Sequence, residues 1–305
     1  MPLGFLLALA LLRTGWTRAA VPVAFVAGTL LSLSMEFTQI YLPRRVPSNM
    51  DLLLNSAGTL VGALLAALLE KLGAISRWSR FRERWFVPHA RGALVLLAVW
   101  PLALLFPASV PFGLGQTWER TEMALTEWFS DTPFIEWLPV LDDALEPLSP
   151  GGELMAVMLG ILIPCLLGYC VIRSPGRRAI FTLVTAVVGV SVTALTFLLS
   201  YGPAHAWEWQ SVPTRIGLGL GMTVALALAA LPRRACAALL LLALMVHLNL
   251  LNQAPASAYF AQTLRAWEQG RFIRFYGVAQ WLGWIWPYAA LVYVVTRVSR
   301  RSEEA

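Results

Sequence analysis

The sequence predicts an all-α, polytopic transmembrane helical bundle, and three observations predict it. Of 305 residues, 58% are hydrophobic and only 13% are charged, a balance that no soluble domain of this length can bury but a bilayer can solvate. The apolar residues come in runs of about 20, the helical length that crosses roughly 30 Å of hydrocarbon. The basic residues fall in short clusters between those runs, where orientation signals of membrane proteins sit. That clustering also argues against the nucleic-acid partner that a net charge of +6 would otherwise invite, so none is expected.

In chain order there are about eight or nine apolar segments. The first, Leu3 to Leu12, is about half as long as a span requires. It has neither a basic stretch before it nor an A-x-A site after it, so it is no cleavable signal; it reads as a half helix, or as the continuation of a preceding span. Spans are then expected near 20–41, 51–70, 92–110, 153–172, 179–200, 214–231, 235–252 and 279–298. Between them lie Arg13 and Arg18; Lys71, Arg77, Arg80, Arg82, Arg84 and Arg91; Arg173, Arg177 and Arg178; Arg233 and Arg234; and Arg297, Arg300 and Arg301. These 16 of the 23 basic residues come after alternate spans, which assigns the basic loop 73–91 and the C-terminus to the cytoplasm and the connection 42–50 to the external side of the membrane.

The long external connection, 111–152, has helical periodicity of its own. Trp118, Leu125, Trp128 and Phe129, then Phe134, Trp137, Leu138 and Leu141, recur at three- and four-residue spacing with acids between, predicting two amphipathic helices in the outer interface or a lid on the bundle. Trp281, Trp284 and Trp286 at the mouth of the last span read as an aromatic belt. Cys165, Cys170 and Cys236 lie inside apolar runs with no CxxC pattern and no histidine in register, so they read as small core residues. No metal-ligand spacing, Walker loop or dinucleotide loop is present, and no metal or cofactor is expected.

One stretch breaks the apolar monotony: "MEFTQIYLPRRVPSNMDLLLNSAGTLVG", Met35 to Gly62. Glu36 and Gln39, three apart, share a helix face, as do Asp51 and Asn55, four apart, on the next helix. Gly58 and Gly62 continue that second face at the spacing that lets a neighbouring backbone approach closely. Pro43 and Pro47 stiffen the turn carrying Arg44 and Arg45. A carboxylate at the depth of Glu36 needs a partner, and an arginine of the turn is within reach, with Gln39, Asn55 and Ser48 able to serve the remaining donors and acceptors.

The order Glu36-x-x-Gln39, Pro43-x-Arg45, Asp51-x-x-x-Asn55-x-x-Gly58-x-x-x-Gly62 resembles the signature of the VanZ-like membrane proteins, and the resemblance covers residues 1–72. The family is named for an accessory protein of glycopeptide resistance clusters associated with low-level teicoplanin resistance. It implies a transmembrane domain with a further N-terminal helix and a role at the cell envelope; it implies no reaction. Residues 92–305 form a second transmembrane region. Within it "TFLLSYGP" (Thr196 to Pro203) aligns without gaps on "EFTQIYLP" (Glu36 to Pro43), which makes 179–231 a candidate degenerate repeat that has lost the polar residues.

Three functional readings fit these residues. In the first, Glu36, Gln39, Arg45, Asp51 and Asn55 form a substrate-binding pocket at the outer leaflet for a membrane lipid or an envelope glycolipid or glycan headgroup, in a non-catalytic accessory protein. In the second, Glu36 and Asp51 act as general acid and base of a membrane enzyme on a lipid-linked substrate. Against it, His89, His205 and His247 have no nucleophile in register, so no triad is assembled and catalytic residues stay unassigned. A transporter is the third, disfavoured because no charged residue lies at mid-depth. Opposed to all three is a purely structural hairpin tied by satisfied polar contacts. Nothing in the sequence sets an oligomeric state.

Overall fold

The computed structural model describes residues 1–41, 49–106, 108–134, 146–255 and 273–303. Among them the chain is all-α: eleven α-helices, one 3-10 turn and no strand. Six helices are long and apolar enough to cross a membrane. Three of the expected segments form shorter apolar helices, at Pro2–Arg13, Arg91–Ala103 and Val212–Leu228. The chain divides into two compact units, Met1–Arg84 and Trp85–Ala305.

The first unit is built from α1 (Pro2–Arg13), α2 (Ala20–Gln39), α3 (Asn49–Lys71) and α4 (Ala74–Trp85), whose last residue belongs to the second unit. The stretch expected as a basic loop is therefore largely helical. Gly73, at φ +66, ends α3 with the left-handed residue that commonly closes a helix. Helix α3 touches both α1 and α2, and it does so through backbone rather than bulky side chains. A Cβ at Gly4 of α1 would fall 2.0 Å from the Thr59 carbonyl oxygen, and one at Gly62 would fall 2.1 Å from the Met1 carbonyl oxygen. On the other side, a Cβ at Gly28 of α2 would meet the Thr59 methyl at 2.4 Å. Lipid tails are as apolar as leucine, so helices in a bilayer gain most from this kind of close approach, and the leucines point outward.

The second unit comprises α5 (Arg91–Ala103), α6 (Trp118–Phe129), α7 (Pro150–Tyr169), α8 (Pro175–Tyr201), a 3-10 turn (Pro203–His205), α9 (Val212–Leu228), α10 (Arg233–Asn252) and α11 (Ile273–Glu303). Its centre is α7, which touches α5, α8, α9 and α10. From Leu159 to Tyr169 every residue of α7 is buried, as expected of a helix apolar all round. The contrast with the first unit is large: 67% of the span window is buried in α7 against 22% in α2 and in α3.

The expected span at 92–110 becomes a short helix and then an inserted loop. Helix α5 holds Pro101, and the chain beyond it turns inward, burying Val110, Phe112 and Leu114. Phe112 takes φ 63, rare for a residue with a side chain. Its ring stacks on Trp100 at 6.5 Å and meets Trp209 edge-on at 6.0 Å. Gly160 and Gly189 make room for it, since a Cβ at either would lie 2.7 Å from Phe112 atoms. Non-helical backbone inside a membrane protein requires cover by protein, and here it also receives hydrogen bonds. Asn252 Nδ2 donates to the Gly115 carbonyl at 3.2 Å, and Asn252 Oδ1 accepts from the Thr117 and Trp118 amides, each at 2.9 Å.

Those amides begin α6, the first of the two expected amphipathic helices, which exposes Trp118, Leu125 and Trp128. The second, including Trp137, Leu138 and Leu141, lies outside the described residues. The expected aromatic belt divides. Trp281 is exposed, whereas Trp286 is buried and its indole donates to the Leu96 carbonyl at 2.7 Å, so it is a core anchor. All three cysteines are free and buried. Arg178 is buried too. It donates to the Ala229 and Leu231 carbonyls at 3.0 and 2.6 Å, so a cation closes the C-terminal end of α9.

Candidate functional site

The site is built on the α2–α3 seam of the first unit. The buried residues of α2 are Ala20, Ala24, Gly28, Ser32 and Glu36, one per four residues, all small until the last. Two contacts fix what this stripe faces. Gly28 lies against Thr59, and Asn55 Nδ2 donates to Ser32 Oγ at 3.1 Å. Each four-residue step along α2 is thus matched by a four-residue step back along α3, the register of an antiparallel pair. One further step sets Glu36 level with Asp51, at the end of the seam joined by the connection that carries Arg44 and Arg45.

The fold separates the residues nominated from the sequence. Glu36 lies in the last turn of α2 and is only 9% exposed. Gln39, the last residue of α2, is half-buried. Asp51 stands in the first turn of α3 and is exposed. Asn55, one turn further on, makes the cross-seam bond to Ser32, while its carbonyl accepts from Thr59 Oγ1 at 2.8 Å. Gly58 and Gly62 face α1 rather than α2, since Cβ atoms there would approach Met1. Arg45 and Ser48 lie outside the described residues. Sequence reasoning missed Gly28, Ser32 and Thr59. The strict four-residue spacing of small residues that ends on Glu36 was their signal.

The two carboxylates occupy opposite electrostatic positions. Asp51 sits near the positive N-terminal end of a helix dipole, where an acid gains about 0.3–1 kcal/mol. Glu36 sits near the negative C-terminal end of α2, with no basic residue in that last turn, so the helix itself disfavours its charge. Burial adds to that cost. The dipole of its own helix therefore favours the charge of Asp51 and opposes that of Glu36. A carboxylate held buried against its own helix, level with a second carboxylate, makes a seam end that attracts cations and hydrogen-bond donors.

Elsewhere, Glu153 and His205 are engaged in contacts of their own. Glu153, in the first turn of α7, accepts from Thr214 Oγ1 at 2.8 Å and from the Ser211 hydroxyl. His205 pairs with Glu208 at 2.7 Å. His247 is buried, and its Nδ1 has no hydrogen-bond partner among the described residues. Among the described residues, no three of His, Cys, Asp or Glu gather as metal ligands would.

These features define a polytopic membrane protein whose first unit packs three of its helices, α1–α3, through small residues along a seam with acids at one end. Residues 1–70 match the VanZ/LLP1 family model, so over that stretch the chain is similar to VanZ-like proteins. Neither the curated proteins nor the solved structures include a match to the chain.

Proposed function

We propose that the outer end of the α2–α3 seam binds the headgroup of an envelope lipid or glycolipid, and that the protein is a non-catalytic accessory factor of the cell envelope whose expected phenotype is glycopeptide, and specifically teicoplanin, tolerance. One observation carries this reading: Glu36 is buried at the end of a ladder of small residues, in a position the dipole of its own helix disfavours. Such a carboxylate persists where it is used. Phosphates and hydroxyls of a headgroup suit the arginines of the connection, while Glu36, Gln39, Asp51 and Asn55 accept hydroxyl or ammonium donors. The alternation of basic clusters supports an outward orientation for this end and a cytoplasmic C-terminus.

The same register supports a second reading, a membrane enzyme, because a buried and an exposed carboxylate at one level of the seam are a suitable general acid and base. One experiment separates the two. Mass spectrometry of lipids and glycans co-purified with the wild type and with Glu36→Ala should find a species retained only by the wild type and unaltered by it. Conversion of that species by purified protein would establish the enzyme. Identical lipid complements in both, with equal protein abundance and unchanged glycopeptide tolerance, would leave the seam a structural clasp.

A further inference from the structure

Helix α4 is amphipathic in a way that neither its own unit nor the acidic seam explains. It begins only two residues after α3 ends at Lys71, so a membrane-spanning α3 delivers it to the membrane surface. None of its residues is buried. At about 100° per residue, Ala74, Trp78, Phe81 and Trp85 fall on one line, at steps of four, three and four. Trp78 and Phe81 are 50% and 39% exposed, and their rings stack on each other at 5.6 Å, forming a continuous aromatic ridge. Arg82 flanks the ridge on one side, and Arg77 and Arg84 flank it on the other, while Ser76, Arg80 and Glu83 lie on the far face. From Glu70 to Arg84 there are five basic residues against two acidic ones.

A polar helix with this surface would dissolve freely if water covered all of it, and an apolar core would strip its arginines. A lipid interface satisfies both faces at once: aromatic rings settle at headgroup level, and the flanking guanidinium groups meet phosphates in the fork geometry that arginine offers. We infer that α4 lies in the membrane interface on the side where α3 ends, with Trp78 and Phe81 among the acyl chains and Arg82 and Arg84 bound to anionic phospholipid headgroups. The aromatic ridge argues for a lipid surface over an acidic protein, and the excess of positive charge argues for anionic over zwitterionic lipid. Arg77 has an additional task, donating to the Leu72 carbonyl and so closing the end of α3.

The test uses the full chain in lipid nanodiscs of phosphatidylcholine alone or with a third of phosphatidylglycerol. A single cysteine is introduced as Trp78→Cys or Ser76→Cys and labelled with an environment-sensitive fluorophore; the three native cysteines are buried, and unmodified protein controls for them. Quenching by doxyl-labelled lipid should be several-fold stronger at position 78 than at 76, and stronger with phosphatidylglycerol. Arg82→Gln with Arg84→Gln should abolish that dependence on phosphatidylglycerol, and the matching lysine pair should restore most of it. If Trp78→Cys does not insert, Phe81→Cys reports the same side of the helix. Equal quenching at both positions, or no response of the wild-type arginines to phosphatidylglycerol, overturns the inference; the second outcome is also what an acidic protein partner would give.

Discussion

Helices α1–α3 and α7–α9 are assembled alike, yet they treat an acid in opposite ways. In each, the third helix offers two glycines four apart to the backbone of the first. Gly58 and Gly62 lie over Met1 and Phe5, and Gly217 and Gly221 lie over the Leu154 and Met158 carbonyls. The sequence "RTGWTRA" at 13–19, between α1 and α2, also resembles "RSPGRRA" at 173–179, which runs from the end of the α7–α8 link into α8, with arginines at the same two places. The acids differ. Glu153 sits at the positive end of α7, with Ser211 and Thr214 donating to it, and α9 starts at the same point. Glu36 sits at the negative end of α2. One packing scheme thus hosts an acid held by hydroxyls at a helix N-terminus and an acid buried at a helix C-terminus.

The largest expected effect comes from the shared packing. Gly62→Leu places a branched side chain where even a Cβ would lie 2.1 Å from the Met1 carbonyl oxygen, and Gly221→Leu does so 2.8 Å from the Met158 carbonyl. Overpacking of a close contact costs about 1–3 kcal/mol, and more where backbone cannot yield. Both variants should lose monodisperse protein in fluorescence-detected size exclusion, and Gly221→Leu more completely, because α7 is buried on all sides while α1 and α3 face outward. If Gly62→Leu is the worse of the two, the scheme is not shared in strength, and the first unit relies on α1 more than its exposure implies.

The two regions also differ in how much of each the sequence could reveal. Most of the apolar helices and the GxxxG face of α3 were legible because apolar length and four-residue spacing are local properties. The direction in which a small face points is not local: Gly58 and Gly62 meet α1, and only the fold assigns α2 its own glycine, Gly28, against Thr59. The inserted loop at Phe112 was hidden for the same reason, since an apolar run of suitable length reads as a span until Gly160 and Gly189 are seen to accommodate a ring. The burial of Arg178 depends on three helix ends converging, which no window of sequence contains.

The next effect in size concerns the two acids. Glu153→Ala leaves the fully buried Thr214 hydroxyl without its acceptor, a loss of about 1–3 kcal/mol. Glu36→Gln removes a charge from the unfavourable end of a helix and should leave thermal stability in detergent unchanged, or raise it by about 0.3–1 kcal/mol. Glycopeptide tolerance and headgroup retention should nevertheless be lost with Glu36→Gln and kept, in whatever protein survives, with Glu153→Ala. A destabilised Glu36→Gln would show that the carboxylate clasps the hairpin as Glu153 clasps α7 to α9, and the difference between the two regions would vanish.

The smallest effect is the most specific. The bond from Asn55 to Ser32 crosses the α2–α3 seam, and its register is what sets Glu36 level with Asp51. Hydrogen bonds between membrane helices are worth about 0.6 kcal/mol on average in double-mutant cycles, because the unfolded helices also find partners. A cycle of Ser32→Ala and Asn55→Ala, read by unfolding in mixed detergent, should give a coupling of about that size. A second cycle of Glu36→Gln and Asp51→Asn should couple with the opposite sign, since two carboxylates at one level repel: neutralising either relieves the repulsion, and neutralising the second gains nothing more from it. Zero coupling in both cycles would mean that the seam ends above Ser32, and Glu36 and Asp51 would then act on different ligands or on none.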